Sequence, residues 1–294
     1  MGEVNRIRSA IVTTGGKAGN AARVVKALGG EPIVAGFAGG ETGRHLLALL
    51  DRMGIAHRFV RVASPTRVCT TVLEDVGGRV TEAAEEASVP STAELEDLRR
   101  KVAALLARCR VVIIAGALPP RCPPRAYEEM AGKAVRCGVP VIIDTHGEPL
   151  LRALAPRPLL AKLNREELGR TCAAAVGDAG RLVAAARGLI RRGARWVLVT
   201  DAGRPAWLVG ACGVWTFTPP RVKVLNSVGC GDAATGGIAV GLSRGEEVPV
   251  AVRLGMACGA ASATTLTPGE IDPAFVERLL PVVRVKRAAR GEHG

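Results

Sequence analysis

Asn226-Ser227-Val228-Gly229-Cys230-Gly231-Asp232-Ala233-Ala234-Thr235-Gly236-Gly237 combines a glycine turn, one carboxylate and a run of small residues that continues to about Leu242. Gly229 and Gly231 lack a Cβ, so the backbone can bend sharply there and a ligand can come close. A helix opening at Asp232 aims its first free N–H groups, and the positive end of its dipole, back over that turn. Such an end suits phosphate oxygens. Asp232 then stands where a hydroxyl attacking that phosphate could hand over its proton. An Asp N-cap after a glycine turn, the commoner use of these residue types, fits the same spacing. Gly236 and Gly237 each cost a helix about 1 kcal/mol against alanine, which points to close backbone packing around them.

Two other stretches carry residues that could join such a site. Gly15-Gly16-Lys17-Ala18-Gly19-Asn20 precedes an apolar-periodic helix to Leu28 and forms an anion cradle or, equally, a helix entry with a solvated Lys. It is not a Walker A loop, because G-x-x-x-x-G-K-[ST] is not satisfied. In Lys162-Leu163-Asn164-Arg165-Glu166-Glu167, Asn164 and Glu167 lie three apart and share one face of a helix start. A capping box has the same spacing.

The elements that must position these residues follow from periodicity. Alternating and β-branched residues predict a strand over 4–14, and a short strand runs from Pro32 to Gly36. A helix is expected over 42–53, then strands at 57–62, 67–74 and 79–84, with Gly77-Gly78 as a two-residue hairpin turn. From Ser91 helix and strand alternate: helices at 92–108, 124–137, 165–173 and 179–192, strands at 111–115, 140–144, 158–163 and 196–200. Apolar strands separated by helices indicate a parallel sheet covered on both faces. Ligands gather at the carboxyl ends of such strands, and nearly every motif above falls at one. A hairpin (206–209 with 214–217), a strand at 221–225 and a last helix over 272–281 complete the reading.

A chain of 294 residues, 48% hydrophobic, can build one large α/β domain. The formal charge of +13 suits anionic ligands. Nucleic acid is disfavoured, because the charge is dispersed and no RNA- or DNA-binding motif is present. The one dense basic run, Arg284 to Arg290, falls in a tail over 284–294 that is expected to be disordered. Eight single cysteines form no C-x-x-C pair and no metal-spaced cluster, which fits buried thiols in a reducing cytoplasm. No apolar run is long enough to span a bilayer, so no membrane partner is expected.

The Asp232 segment resembles the C-terminal signature of the PfkB (ribokinase-like) sugar kinases, G-A-G-D before a small-residue helix, with Cys230 in place of alanine. Gly15 to Arg23 resembles the family's G-G-K-G-x-N-x-A-R, Thr66-Arg67 its T-R, Gly116-Ala117-Leu118-Pro119 its G-S-L-P, and Asp144 to Glu148 its D-x-x-G-E. Lys162 to Glu167 matches K-x-N-x-x-E, and Thr200-Asp201-Ala202-Gly203 falls where the family has its nucleotide loop. The resemblance is greatest to the phosphofructokinase/tagatose-6-phosphate kinase branch.

It implies an α/β, ribokinase-like three-layer α/β/α fold over 1–283, with a mostly parallel sheet and a small β lid from 4–14 and 57–84. It implies transfer of the ATP γ-phosphoryl group to a hydroxyl of a ketohexose phosphate. Asp232 becomes the base, and the amides of Gly229, Cys230 and Gly231 stabilise the transferred charge. Gly16, Lys17, Asn20, Arg67 and Glu82 become substrate contacts, although the family's T-E-x-N lacks its Asn here. Lys162, Asn164, Thr200, Asp201, Gly203, Gly231 and Cys258 become nucleotide contacts, and Asn164 with Glu167 organises Mg²⁺ through water. The family's lids often pair, so a homodimer through the lid is expected.

The family usually opens with a core strand ending in N-P-x-x-D, and this sequence starts after it. Losing that strand would expose two sheet edges. The true start is therefore expected upstream of Met1, and a native mass of 30.5 kDa would contradict that. Two other readings stay open: a kinase of an unphosphorylated sugar or nucleoside, which would not need Lys17 and Arg67, and a non-catalytic protein that binds nucleotide and sugar phosphate.

Overall fold

Val141-Ile142-Ile143 shows how the chain is layered. Ile142 packs into one core and its neighbours Val141 and Ile143 into another, because successive strand side chains point to opposite faces. Leu160 against Ala161, Leu198 against Val197 and Val199, and Leu208 against Val209 divide in the same way. Both faces are buried, and that is why these strands read as unbroken apolar runs.

The structure, a computed structural model, describes residues 7–74, 79–119 and 121–288. The chain opens with α1 (Lys17–Ala27), β1 (Ile33–Gly39), α2 (Gly40–Arg52) and β2 (Ala56–Val62), then the pair β3 (Cys69–Leu73) and β4 (Val80–Ala84). The middle runs α3 (Thr92–Leu105), β5 (Val112–Ala115), α4 (Arg125–Arg136), β6 (Val141–Asp144), α5 (Gly147–Ala153), β7 (Leu160–Asn164), α6 (Arg165–Cys172), α7 (Ala179–Arg191) and β8 (Trp196–Asp201). It closes with β9 (Arg204–Gly210), β10 (Gly213–Thr218), α8 (Cys230–Ser243), α9 (Val248–Ser262), α10 (Pro273–Leu279) and β11 (Arg284–Arg287).

The main sheet has the order β11-β10-β9-β8-β7-β6-β5. Strands β5 to β8 are parallel and β8 to β11 antiparallel, so the sheet is mixed. One core joins it to α1, α8, α9 and α10, the other to α4, α5, α6 and α7. This is the expected three-layer ribokinase-like architecture. Beside it, β1 and β2 pair parallel in a sheet of their own, with Val34, Leu50, Ile55 and Ala22 packed around α2. Strands β3 and β4 form a third, antiparallel sheet.

Four expectations are corrected. Residues 7–14 form no strand: Ile7, Ile11 and Val12 are exposed, so their β-branched pattern has no face to bury; residues 4–6 lie outside the described part. The lid is smaller than expected, because β2 pairs with β1 and not with β3 and β4. Residues 221–225 are irregular, with Val224 and Leu225 exposed beside the cleft. Arg284–Arg287 is no loose tail but an edge strand on β10, with Arg287 over the Trp215 ring. Its charges blunt that edge. The turn Gly77-Gly78 lies outside the described residues, but the hairpin it joins is present, Leu73 facing Val80.

Strand β5 ends the main sheet, and β1 belongs to a separate one. The large cleft reaches between them, lined there by Val34, Ala35 and Phe37 on one side and Ala115, Gly116 and Ala117 on the other.

Gly236 and Gly237 have the close neighbours their cost suggested. A Cβ on Gly236 would lie 2.6 Å from Ala21 O and 2.9 Å from Val24 Cβ of α1. One on Gly237 would lie 2.9 Å from Gly255 Cα of α9. Helix α8 is thus wedged between its neighbours, which fixes where its first turn points. Gly236→Ala should therefore destabilise the protein by about 1–3 kcal/mol through overpacking, despite alanine's better helix propensity. A lower urea midpoint at constant slope is the expected result.

Candidate active site

Helix α8 begins at Cys230, two residues before the position expected from sequence, so Asp232 is its third residue. Gly229 supplies the reason. As N-cap it adopts φ 77°, and its carbonyl accepts the first helical bond from Ala233 N at 2.8 Å. The amides of Cys230, Gly231 and Asp232 precede that bond and have no acceptor within the helix. They lie at the positive end of the helix dipole on the cleft floor, a geometry suited to an anion. The Cys230 thiol turns away toward Asn226 O (3.6 Å), and burial first, then the Asp232 charge, pushes it up to about 11. Its backbone, not its sulfur, faces this chemistry.

Three segments bring side chains to that turn. Gly16, with φ 81°, bends the chain into α1. Helix α1 then presents Asn20, whose Nδ2 donates to Asp232 Oδ2 at 2.8 Å. Lys17, one turn earlier, bonds Asp144 Oδ1 at 2.7 Å and lies 3.5 Å from Glu167 Oε1. From β7, Lys162 Nζ reaches Asp144 Oδ2 at 2.8 Å. A Cβ on Gly231 would be 3.3 Å from that ammonium, so Lys162 stands directly beside the turn.

Asp144, at the carboxyl end of β6, is the hub. It is 1% exposed and accepts from Lys17, Lys162 and Thr235 Oγ1, the last at 2.7 Å. One carboxylate thereby locks α1, β7 and α8 together. Burial opposes its charge, but Lys162 and then Lys17 outweigh that and hold it down at about 2. Asp232 goes the other way. Burial, then repulsion from Asp144, raises it above the ordinary carboxylate range, with the Asn20 bond opposing. The two carboxylates are driven apart, one fixed as an anion and one made more basic. Such a split separates a structural from a proton-accepting role.

Asn164 and Glu167 form a reciprocal capping box on α6, Asn164 Oδ1 accepting from Glu167 N and Glu167 Oε2 from Asn164 N, both at 2.8 Å. The local reading of this pair is therefore correct. It leaves Glu167 Oε1 between Lys17 (3.5 Å) and His146 Nδ1 (3.6 Å) at the cleft.

A cleft of about 2770 Å³ joins these residues to Thr200, Gly203, Arg67 and Glu82. Arg67 and Glu82 stand on and beside the β3–β4 pair, with Arg67 Nη1 3.4 Å from Glu85 O. Two sequence-derived contacts are not placed there. Asp201 pairs with Arg165 at 2.9 Å and its side chain is not among the cleft's lining. Cys258 is fully buried, its sulfur under Gly237, while Met256, Gly259 and Ala260 of the same helix face the cleft. Asp144, Thr235, His146 and Arg23 were the residues that motif spacing left without a role. The signal for Asp144 was present: a carboxylate ending the apolar run Val-Ile-Ile.

A family model described as pfkB family carbohydrate kinase matches residues 1–274. The chain belongs to that family. It is 30% identical over 287 residues to 1-phosphofructokinase of Bacillus subtilis, covering 98% of this chain and 93% of the relative. To 1-phosphofructokinase of Escherichia coli it is 30% identical over 272 residues, covering 92% and 86%. Phosphofructokinase-2 of Escherichia coli, solved with substrates and products, superposes with a TM-score of 0.85 at 25% identity, covering 96% of this chain and 92% of that one.

Proposed function

We propose that this PfkB kinase transfers the γ-phosphoryl group of ATP to a hydroxyl of a ketohexose phosphate, with fructose 1-phosphate as acceptor and Asp232 as base. The observation that carries the reading is the juxtaposition of Asp232, raised in pKa and held by Asn20, with the Gly231 and Asp232 amides of the α8 first turn, which have no acceptor within the helix. A hydroxyl between them loses its proton to Asp232 as its oxygen attacks the γ-phosphorus, the bond from that phosphorus to the β–γ bridging oxygen breaks and ADP leaves, and the amides and Lys162 take up the charge on the transferred group. The names of the relatives favour a sugar phosphate over an unphosphorylated sugar, and so do the cations that line the cleft. The apolar stretch at Val222, Met256 and Ala260 suits a purine.

Mg²⁺ fits the residues present. Asp144, Glu167 and Asp232 outnumber Lys17 and Lys162 around the turn, so the added charge of the nucleotide phosphates favours a divalent counter-ion there. Asp144 is buried and already accepts from Lys17, Lys162 and Thr235, whereas Glu167 Oε1 lines the cleft and is placed to hold the ion's waters, in keeping with magnesium's preference for water and phosphate ligands. Among the described residues no three or more His, Cys, Asp or Glu side chains converge as a metal cage. When bound, Mg²⁺ would shield the phosphate charges.

Arg67→Ala tests the acceptor class. It should raise KM for the sugar phosphate about tenfold or more, the loss of a charged hydrogen bond, with KM for ATP unchanged. An unchanged sugar-phosphate KM would favour an unphosphorylated acceptor. The exposed Val68 and Val72 of the lid favour a homodimer through it, which sedimentation at micromolar concentration would show; a monomer there would contradict it. No helix among the described residues is long and apolar enough to cross a membrane. Eight free cysteines suit a reducing cytoplasm.

A further inference from the structure

Arg23 lies one turn beyond Asn20 on α1, and its guanidinium ties together two loops that the chemistry leaves unexplained. Nη1 donates to Pro268 O at 2.9 Å; Nη2 donates to Thr14 Oγ1 at 2.9 Å and to Thr13 Oγ1. Thr13 and Thr14 lead directly into Gly16 and Lys17. Pro268 lies against the other half of the site: a Cβ on Gly229 would fall 2.6 Å from Pro268 Cβ. Next to it, a Cβ on Gly269 would fall 2.5 Å from Asn20 O, and Gly269 N donates to the buried Ser262 Oγ at 3.1 Å. The loop around Pro268 is therefore pressed between the N-cap of α8 and the residue that holds Asp232.

Arg23 holds this place at a cost. Burial works against its charge, offset in part by Glu270, and its Nε is buried without a hydrogen-bond partner. An uncharged contact could tether one loop as well. A planar fork with several donors is what spans both at fixed geometry.

We propose that Arg23 is a positioning residue for phosphoryl transfer: through Pro268 it sets the Gly229 turn, and through Thr13 and Thr14 the entry to Lys17, so that amides, base and Lys17 keep one register. It touches no reacting atom. The inference rests on the kinase reading, and its test separates the two. Misplacement of reacting groups by about 1 Å costs on the order of 10²-fold in rate. Arg23→Ala should therefore lower kcat by about that factor with KM for ATP within about threefold, and methylguanidinium should restore part of the rate. Arg23→Lys should lie between. Hydrogen exchange supplies a readout independent of turnover: in Arg23→Ala, peptides covering 225–233 and 264–270 should exchange faster, while those covering β6 and β7 stay protected. Wild-type turnover with a sugar phosphate decides the kinase reading alone. A variant that loses melting temperature but keeps kcat, or leaves exchange at 225–233 unchanged, overturns the positioning role.

Discussion

Asp232→Asn is expected to lower kcat by about 10²–10⁴-fold, the range for loss of a general base, without lowering the melting temperature. The asparagine keeps an oxygen to accept from Asn20 Nδ2, so the 2.8 Å bond survives. The stability half follows from the sign of the pKa shift. Asp232 is raised in the fold, so its ionised form is disfavoured there relative to the unfolded chain. The penalty appears as pH rises through the unfolded value and is fully present above the folded one. At neutral pH an uncharged isostere removes it, and the variant should melt at the same temperature or higher. The same shift places the acid limb of wild-type kcat/KM above the ordinary carboxylate range. A variant that is both inactive and markedly less stable would instead make Asp232 a structural cap, the alternative its sequence context left open.

Asp144→Asn should do the opposite. It leaves two ammonium groups, Lys17 and the buried Lys162, facing a neutral amide. Removing one partner of a buried ion pair costs about 3–5 kcal/mol, so a large drop in melting temperature is expected together with loss of turnover. The pH dependence identifies the cause. Asp144 is held at about 2, below the ordinary carboxylate range, so its contribution is fully present above about pH 4 and is lost as pH falls toward 2. The stability gap between wild type and variant should be constant near neutrality and narrow over that acid window. A gap that is unchanged at pH 2 would mean that packing, not charge, makes Asp144 the hub.

These two carboxylates also show what the sequence could tell. Asp232 stands out because its neighbours are glycines, and special backbone chemistry is visible in residue types. The alternating strands and helices from Ser91 onward were legible because two buried faces force continuous apolar runs. Asp144 shows no role from its motif alone, because its meaning lies in partners 127, 18 and 91 residues away along the chain. Asp201 and Cys258 were misplaced for a related reason: position in a motif fixes the backbone at the cleft but not which way a side chain turns. Asp201 turns to Arg165 and Cys258 into the contact between α8 and α9. Over residues 7–14 no strand forms, because β-branched residues predict a strand only where a neighbour can pair with them. The Arg284–Arg287 edge strand was hidden by its charge, which suits a solvent-facing edge as well as a loose tail.

The most direct test of the account is ATP consumption with Mg²⁺ by the full chain against fructose 1-phosphate, fructose 6-phosphate and tagatose 6-phosphate, with the phosphorylated product identified. Turnover with fructose 1-phosphate, giving the bisphosphate, is expected, and turnover about 10²–10⁴-fold slower for Asp232→Asn. Binding of ATP and sugar phosphate with no consumption on any of the three would contradict it and leave a binding protein built on a kinase fold.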